Sequence, residues 1–82
     1  MGQKVSTKLE ILRILEINES YGYKIWQDLG STKTIQSIYQ HLNELENKDL
    51  IISEQIGNKK LFEITSKGKK VLSALETLVD LL

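Results

Sequence analysis

The amino-acid sequence predicts an α+β, mostly helical fold: three helices, a two-stranded hairpin and a C-terminal helix, in that order. Three observations predict it. Apolar residues recur at three-and-four spacing in four separate stretches. Between the third and fourth stretches, an isoleucine-rich, partly alternating run meets a Gly-Asn pair and then a second short run, the pattern of a hairpin. The chain has no Pro, so nothing forces a break inside any helix.

The first helix is expected to start at Thr7, which stands three residues before Glu10 at the spacing of a capping box. Leu9, Leu12 and Leu15 share one face, Ile11 and Ile14 widen it, and the helix frays near Ile17 or Asn18. Ser20 is the expected N-cap of a second helix over YGYKIWQDL, with Tyr21, Ile25 and Leu29 as its stripe, Trp26 beside them and Gly30 just past its end. Ser31, Thr32 and Thr34 form a cap-rich turn. A third helix, 35–48, buries Ile35, Ile38, Leu42 and Leu45 and turns Gln36, Gln40, Asn43 and Asn47 to the opposite, polar side.

Leu50 to Ile56 reads as a strand, Gly57-Asn58 as a two-residue type II′ turn, and Lys60 to Ile64 as the return strand. That register sets Ser53 opposite Phe62 and Ile51 opposite Ile64, with Ile51, Phe62 and Ile64 facing the core. Thr65-Ser66 caps the last helix, 66–82. Lys67, Lys69 and Lys70 stand near its start, where the helix dipole disfavours cations, and so look to an external anion such as phosphate.

At 82 residues and 40% hydrophobic content, the chain is expected to be one domain spanning 1–82 and not a disordered segment. It has no Cys and a single His, His41, which excludes a disulfide framework and makes a metal site unexpected. His41 reads as a packed or half-exposed helix residue, and Trp26 as core. No apolar run reaches the length of a membrane span, and the N-terminus lacks the apolar stretch of a secretory signal, so a cytoplasmic location is expected. No cofactor is expected. With no nucleophile–base pair, no glycine-rich phosphate loop and one isolated His, an enzyme is not expected either.

The formal net charge is zero, yet the charge is unevenly placed. Residues 57–70 carry a local +4, while 31–56 and 71–82 each carry −2. A helix ending at Leu29, a short turn and a helix beginning near Thr34 make a helix-turn-helix, and the hairpin with Lys59 and Lys60 at its tip follows as a wing. Double-stranded DNA suits this order. The third helix can offer Gln36, Ser37, Gln40 and Asn43 to base edges, where Gln and Asn pair with adenine. Lys33, Thr34, Lys59 and Lys60 can hold the sugar-phosphate backbone. The last helix carries more apolar groups than one small core can bury. Val71, Leu72, Leu75, Leu78, Val79 and Leu82 are therefore expected at a homodimer interface, which makes 66–82 a dimerisation helix. A monomer with that helix folded back on the first is the alternative.

From Tyr21 to about Leu72 the sequence resembles the winged helix-turn-helix transcriptional regulators, the PadR-like family most closely. YGYKIWQDL is similar to that family's YGYEI-type second helix. SIYQHLNELENKDLI resembles its TLYPALKRLEKRGLI-type recognition helix and exit, and KKLFEITSKGKKVL its RKYYRLTEKGRKAL-type wing strand and following helix. The resemblance implies DNA-binding transcriptional regulation and a dimer built through the C-terminal helix; repression by occluding a promoter is the expected mode. It also implies that Tyr39 stands where the family's recognition-helix Tyr lies close to the DNA backbone. Asp49 replaces a usual Gly and Gln40 a usual Pro, the C-terminal part is short, and His41-Leu42 resembles the ArsR-like branch. The rival reading is a winged-helix protein–protein adaptor without DNA binding, which the zero net charge suits. The effector, if any, is not specified by these residues.

Overall fold

In the computed structural model, residues 6–30 and 33–82 are described. Helix α1 (Thr7–Ile17) is followed by strand β1 (Ser20–Tyr21), helix α2 (Gly22–Asp28) and helix α3 (Ile35–Asn47). Strands β2 (Ile51–Ile56) and β3 (Lys59–Ile64) form the wing, and helix α4 (Ser66–Asp80) closes the order. Ser31 and Thr32, expected in the cap-rich turn, lie outside the described residues.

Two caps differ from expectation. Ser6, not Thr7, caps α1: its hydroxyl accepts the Leu9 N–H at 3.1 Å. Both residues are good caps, and the one with extended backbone takes the role. Ser20 does not cap α2. It is a buried strand residue paired with Phe62, while Tyr21 pairs with Leu61 and precedes α2 with no side-chain cap bond. The sheet is therefore three-stranded, in the order β1-β3-β2, instead of two-stranded. Thr34 and Thr65 cap as their sequence contexts predict, accepting the Ser37 and Gly68 N–H groups.

The hairpin register is the expected one: Ile51 opposes Ile64, Ser53 opposes Phe62, and Gly57 takes the positive φ of 62° that the tight turn needs. Asp49 has φ 61°, the left-handed conformation that turns the chain out of α3 into β2. The core draws on every helix. Leu9, Ile11, Leu12 and Leu15 of α1 meet Ile25 of α2, Ile38, Leu42 and Leu45 of α3, Leu50 and Ile51, Phe62 and Ile64 of β3, and Leu72 of α4.

Leu72 corrects one expectation. It is fully buried in its own chain and has no surface left to offer a second copy. Val71 is half-buried against the same core, and Arg13 Nε donates to Glu76 Oε2 at 3.2 Å, so the first part of α4 folds back on α1. Beyond it the apolar side chains are open: Leu75, Leu78, Val79, Leu81 and Leu82 are exposed, Leu78 at 59% and Leu82 at 86%. Of the three lysines near the start of α4, Lys67 makes a bond within the chain. Its ammonium donates to the Lys48 carbonyl at 3.0 Å, at the C-terminal end of α3 where a cation is favoured.

Candidate nucleic-acid interface

The candidate interface centres on the corner between α2 and α3. Helix α2 ends at Asp28 with Leu29 as its C-cap, and Gly30 follows with φ 80° and its N–H bonded to the Gln27 carbonyl. Trp26 does more than fill core. Its ring packs against the core edge and against Tyr23, centroids 5.5 Å apart, while its indole N–H donates to the Lys33 carbonyl at 2.6 Å. That bond ties the entry of α3 to α2 across the turn. Lys33 and Thr34 are exposed at this entry. The Thr34 hydroxyl oxygen accepts from Ser37 N–H, which leaves its own O–H free to donate.

From this corner α3 presents three different sides. Ile38, Leu42 and Leu45 point into the core. Gln36, Gln40, Asn43 and Asn47 lie on the solvent side, all exposed and all uncharged. Ser37 and His41 sit on the flank, half-buried; His41 Nδ1 is shielded from solvent without a hydrogen-bond partner, 3.8 Å from Glu44 Oε1. The carboxylates of α3 are drawn sideways. Glu44 takes a 3.3 Å contact from Lys8, and Glu46 accepts the Ser53 hydroxyl at 2.7 Å. Both carboxylates are thus engaged by partners from other elements, Lys8 of α1 and Ser53 of β2.

Beside the stripe, an open groove of about 700 Å³ runs between α2, α3 and the wing. Ile35 and Tyr39 of α3, Tyr23, Lys24 and Gln27 of α2, and Gln55, Asn58, Lys59 and Lys60 of the wing border it, with Tyr21 at its edge. Tyr39 occupies the place of a side chain that Gly22 lacks: a Cβ built on Gly22 would stand 2.6 Å from the Tyr39 ring and hydroxyl. The ring is thereby seated on the start of α2, with 40% of Tyr39 exposed. Of the residues expected at the DNA backbone, Tyr39, Lys59 and Lys60 border this groove, whereas Lys33 and Thr34 stand outside it at the entry of α3; Tyr21, Tyr23, Lys24, Gln27, Gln55 and Asn58 border it without having been expected. The spacing of Lys24 and Asp28, four apart on one helix face, was the available signal for Lys24; the two form a 2.8 Å ion pair.

The wing lysines are not equivalent. Strand alternation sends Lys60 to the face of Phe62 and Ile64, where it stands opposite Gln55. Lys59 goes to the other face, with Leu61 and Glu63, and its ammonium lies 5.6 Å from the centroid of the Tyr21 ring. Among the described residues, no three His, Cys, Asp or Glu side chains come together as a metal site, and no helix is long and apolar enough to cross a membrane.

Residues 11–74 match the family described as the transcriptional regulator PadR-like family. No curated protein matches the chain. Among solved structures, a PadR family transcription regulator from hypervirulent Clostridium difficile is similar at 26% identity and TM-score 0.75, over 87% of this chain and 83% of that one. A transcriptional regulator from Clostridium thermocellum superposes with TM-score 0.83 at 22% identity, over 92% and 81% of the two chains. The homodimeric winged helix-turn-helix DNA-binding domain of Mb0332 from Mycobacterium bovis gives TM-score 0.76 at 17% identity, over 90% and 68%. The fold is that of the winged-helix regulators.

Proposed function

The chain belongs to the PadR-like family of transcriptional regulators, and from that premise we propose that it binds double-stranded DNA as a homodimer and represses transcription by occluding a promoter. One observation carries the reading: an exposed, uncharged Gln and Asn stripe on α3 runs beside a groove bordered by Lys24, Lys59 and Lys60. In the proposed complex α3 lies in the major groove, with Gln36, Gln40 and Asn43 at base edges and Ser37 at the flank of the contact. Lys33, Thr34, Tyr39, Lys59 and Lys60 hold phosphates and set the register. The chemistry is binding alone; no step of catalysis is assigned to any residue.

The exposed end of α4 supplies the dimer. Leu75, Leu78, Val79, Leu81 and Leu82, with the half-buried Val71 at the margin, pair with their copies in a two-fold interface. The two α3 helices then address half-sites about one DNA turn apart, roughly 34 Å. The solution mass of the chain is expected to be that of two copies, and Leu78→Glu is expected to return it to one without unfolding it.

Titration of a random-sequence duplex from about 50 to about 200 mM salt tests the reading, because phosphate contacts release counterions and make affinity fall steeply with salt. Selection of bound sequences from a randomised pool then yields the operator, and Gln40→Ala is expected to change the preferred sequence more than the affinity for random DNA. A chain that binds no duplex at low salt is instead an adaptor of the same fold.

A further inference from the structure

Strand β1 is two residues long, yet it places an aromatic ring against the wing. Tyr21 pairs with Leu61, and Lys59 stands two residues before Leu61 in the same strand. Both side chains therefore project from one face of the sheet, and the Lys59 ammonium lies over the Tyr21 ring at 5.6 Å. Tyr21 is half-buried, held by its backbone pairing and by α2, which starts at the next residue. With two side-chain torsions on a paired backbone, the tyrosine is the stiffer partner, and the long lysine stem the more mobile one.

We propose that Tyr21 is a positioning residue for the wing: it holds the Lys59 ammonium in place for a DNA phosphate. The inference rests on the DNA-binding reading above and assigns a role to a residue that makes no base contact. A cation over a ring face is held by the ring's quadrupole and consumes none of its N–H donors. All three donors and the full charge stay available to a phosphate. Without the ring, a four-carbon stem with its several rotatable bonds has to be ordered at the moment of binding, and that ordering weakens the complex. Lys60, on the opposite face beside Gln55, contributes charge to the groove from the other side.

The test compares wild type, Tyr21→Phe, Tyr21→Leu, Lys59→Ala and the double variant Tyr21→Leu with Lys59→Ala, each titrated with random duplex across salt and each checked by thermal melting. Tyr21→Leu keeps apolar bulk but removes the π face, and is expected to weaken binding roughly two- to fivefold with an unchanged salt slope. Tyr21→Phe is expected to restore most of the affinity. Lys59→Ala lowers the slope by about one, and the double variant is expected to bind no more weakly than Lys59→Ala alone. Tighter or unchanged binding by Tyr21→Leu, or additive losses in the double variant, overturns the proposal. If Tyr21→Leu does not fold, Tyr21→Trp carries the test. Its stronger π face has to match or exceed wild-type affinity, and weaker binding by that variant overturns the proposal. Wild-type protein that binds no duplex overturns the DNA reading itself, whereas wild-type binding that ignores Tyr21 overturns only this inference.

Discussion

The two sides of α3 are assembled from different materials. Behind it, at the exit toward β2 and α4, backbone meets backbone. Asp49 turns left-handed, the Thr65 N–H and hydroxyl engage the carbonyls of Leu50 and Asp49 at 3.1 and 2.7 Å, and Gly68 lies directly against the Leu50 carbonyl. In front, the groove is walled by the ends of side chains: Tyr39, Lys24, Gln55, Lys60. A backbone carbonyl cannot move without moving a strand, whereas a tyrosine or lysine can turn about its own bonds. The rear junction fixes where α3 sits, and the front is left adjustable for a partner. One kind of substitution, made on both sides, therefore ought to give two different results.

Gly68→Ala is expected to have the largest effect. The added Cβ would stand 2.1 Å from the Leu50 oxygen and 2.7 Å from Ile64 Cγ1. Alanine favours a helix over glycine by about 1 kcal/mol, but the collision outweighs it, and a net loss of about 2 kcal/mol is expected. That is a fall of roughly 10 °C in melting temperature for a domain of this size. Chemical denaturation measures it. A variant as stable as wild type would show that the rear junction yields as readily as the front, and the contrast would collapse. Next in size is Lys59→Ala with Lys60→Ala, which leaves the rear untouched. Its stability is expected to match wild type, while affinity for random duplex falls about tenfold and the salt slope drops by about two.

Gly22→Ala is the matched experiment at the front. Its Cβ would meet the Tyr39 ring and hydroxyl at 2.6 Å, the far end of a rotatable side chain. The ring is expected to swing aside at little cost in stability, within about 0.5 kcal/mol of wild type, while affinity falls about fivefold as Tyr39 loses its seat and one hydrogen bond to phosphate. Melting and titration on the same variant separate the two effects. A large loss of stability with intact affinity would place Tyr39 with the core and outside the interface.

The same division governs what could be read in the sequence. The helices were legible because their evidence is local: Ile38, Leu42 and Leu45 repeat at helical spacing and end up buried, and Gln36, Gln40 and Asn43 fall opposite them. The hairpin register followed from Gly57-Asn58 alone. Strand β1 was not legible. Ser20 has the same side chain whether it caps a helix or pairs with a strand residue, and the partner that decides the matter, Phe62, is 42 positions away. The position of Lys59 and Lys60 beside the hairpin turn is local information, yet their opposite directions follow only from strand alternation carried through to the turn. The Tyr39 seat on Gly22 left no trace in either local stretch, because it depends on the angle at which α3 crosses α2.

The smallest expected effect probes how far the adjustable front extends. Lys24 borders the groove but is already engaged, its ammonium 2.8 Å from Asp28 Oδ1 on the next turn of α2. A phosphate arriving in the groove competes with that carboxylate for the lysine and is repelled by it. Asp28→Asn preserves the shape, removes the charge and frees Lys24. Affinity for random duplex is expected to rise about two- to threefold at low salt and to converge on wild type as salt is raised, since exposed pairs are worth less than about 1 kcal/mol and are screened. The cost to α2 is expected to stay near the 0.3–0.5 kcal/mol of such a helix pair. Tighter binding would put the phosphate path along α2 as well as the wing. Unchanged binding at every salt concentration would confine it to Tyr39 and the wing lysines, and the wall formed by α2 would then belong with the rigid frame that aims α3.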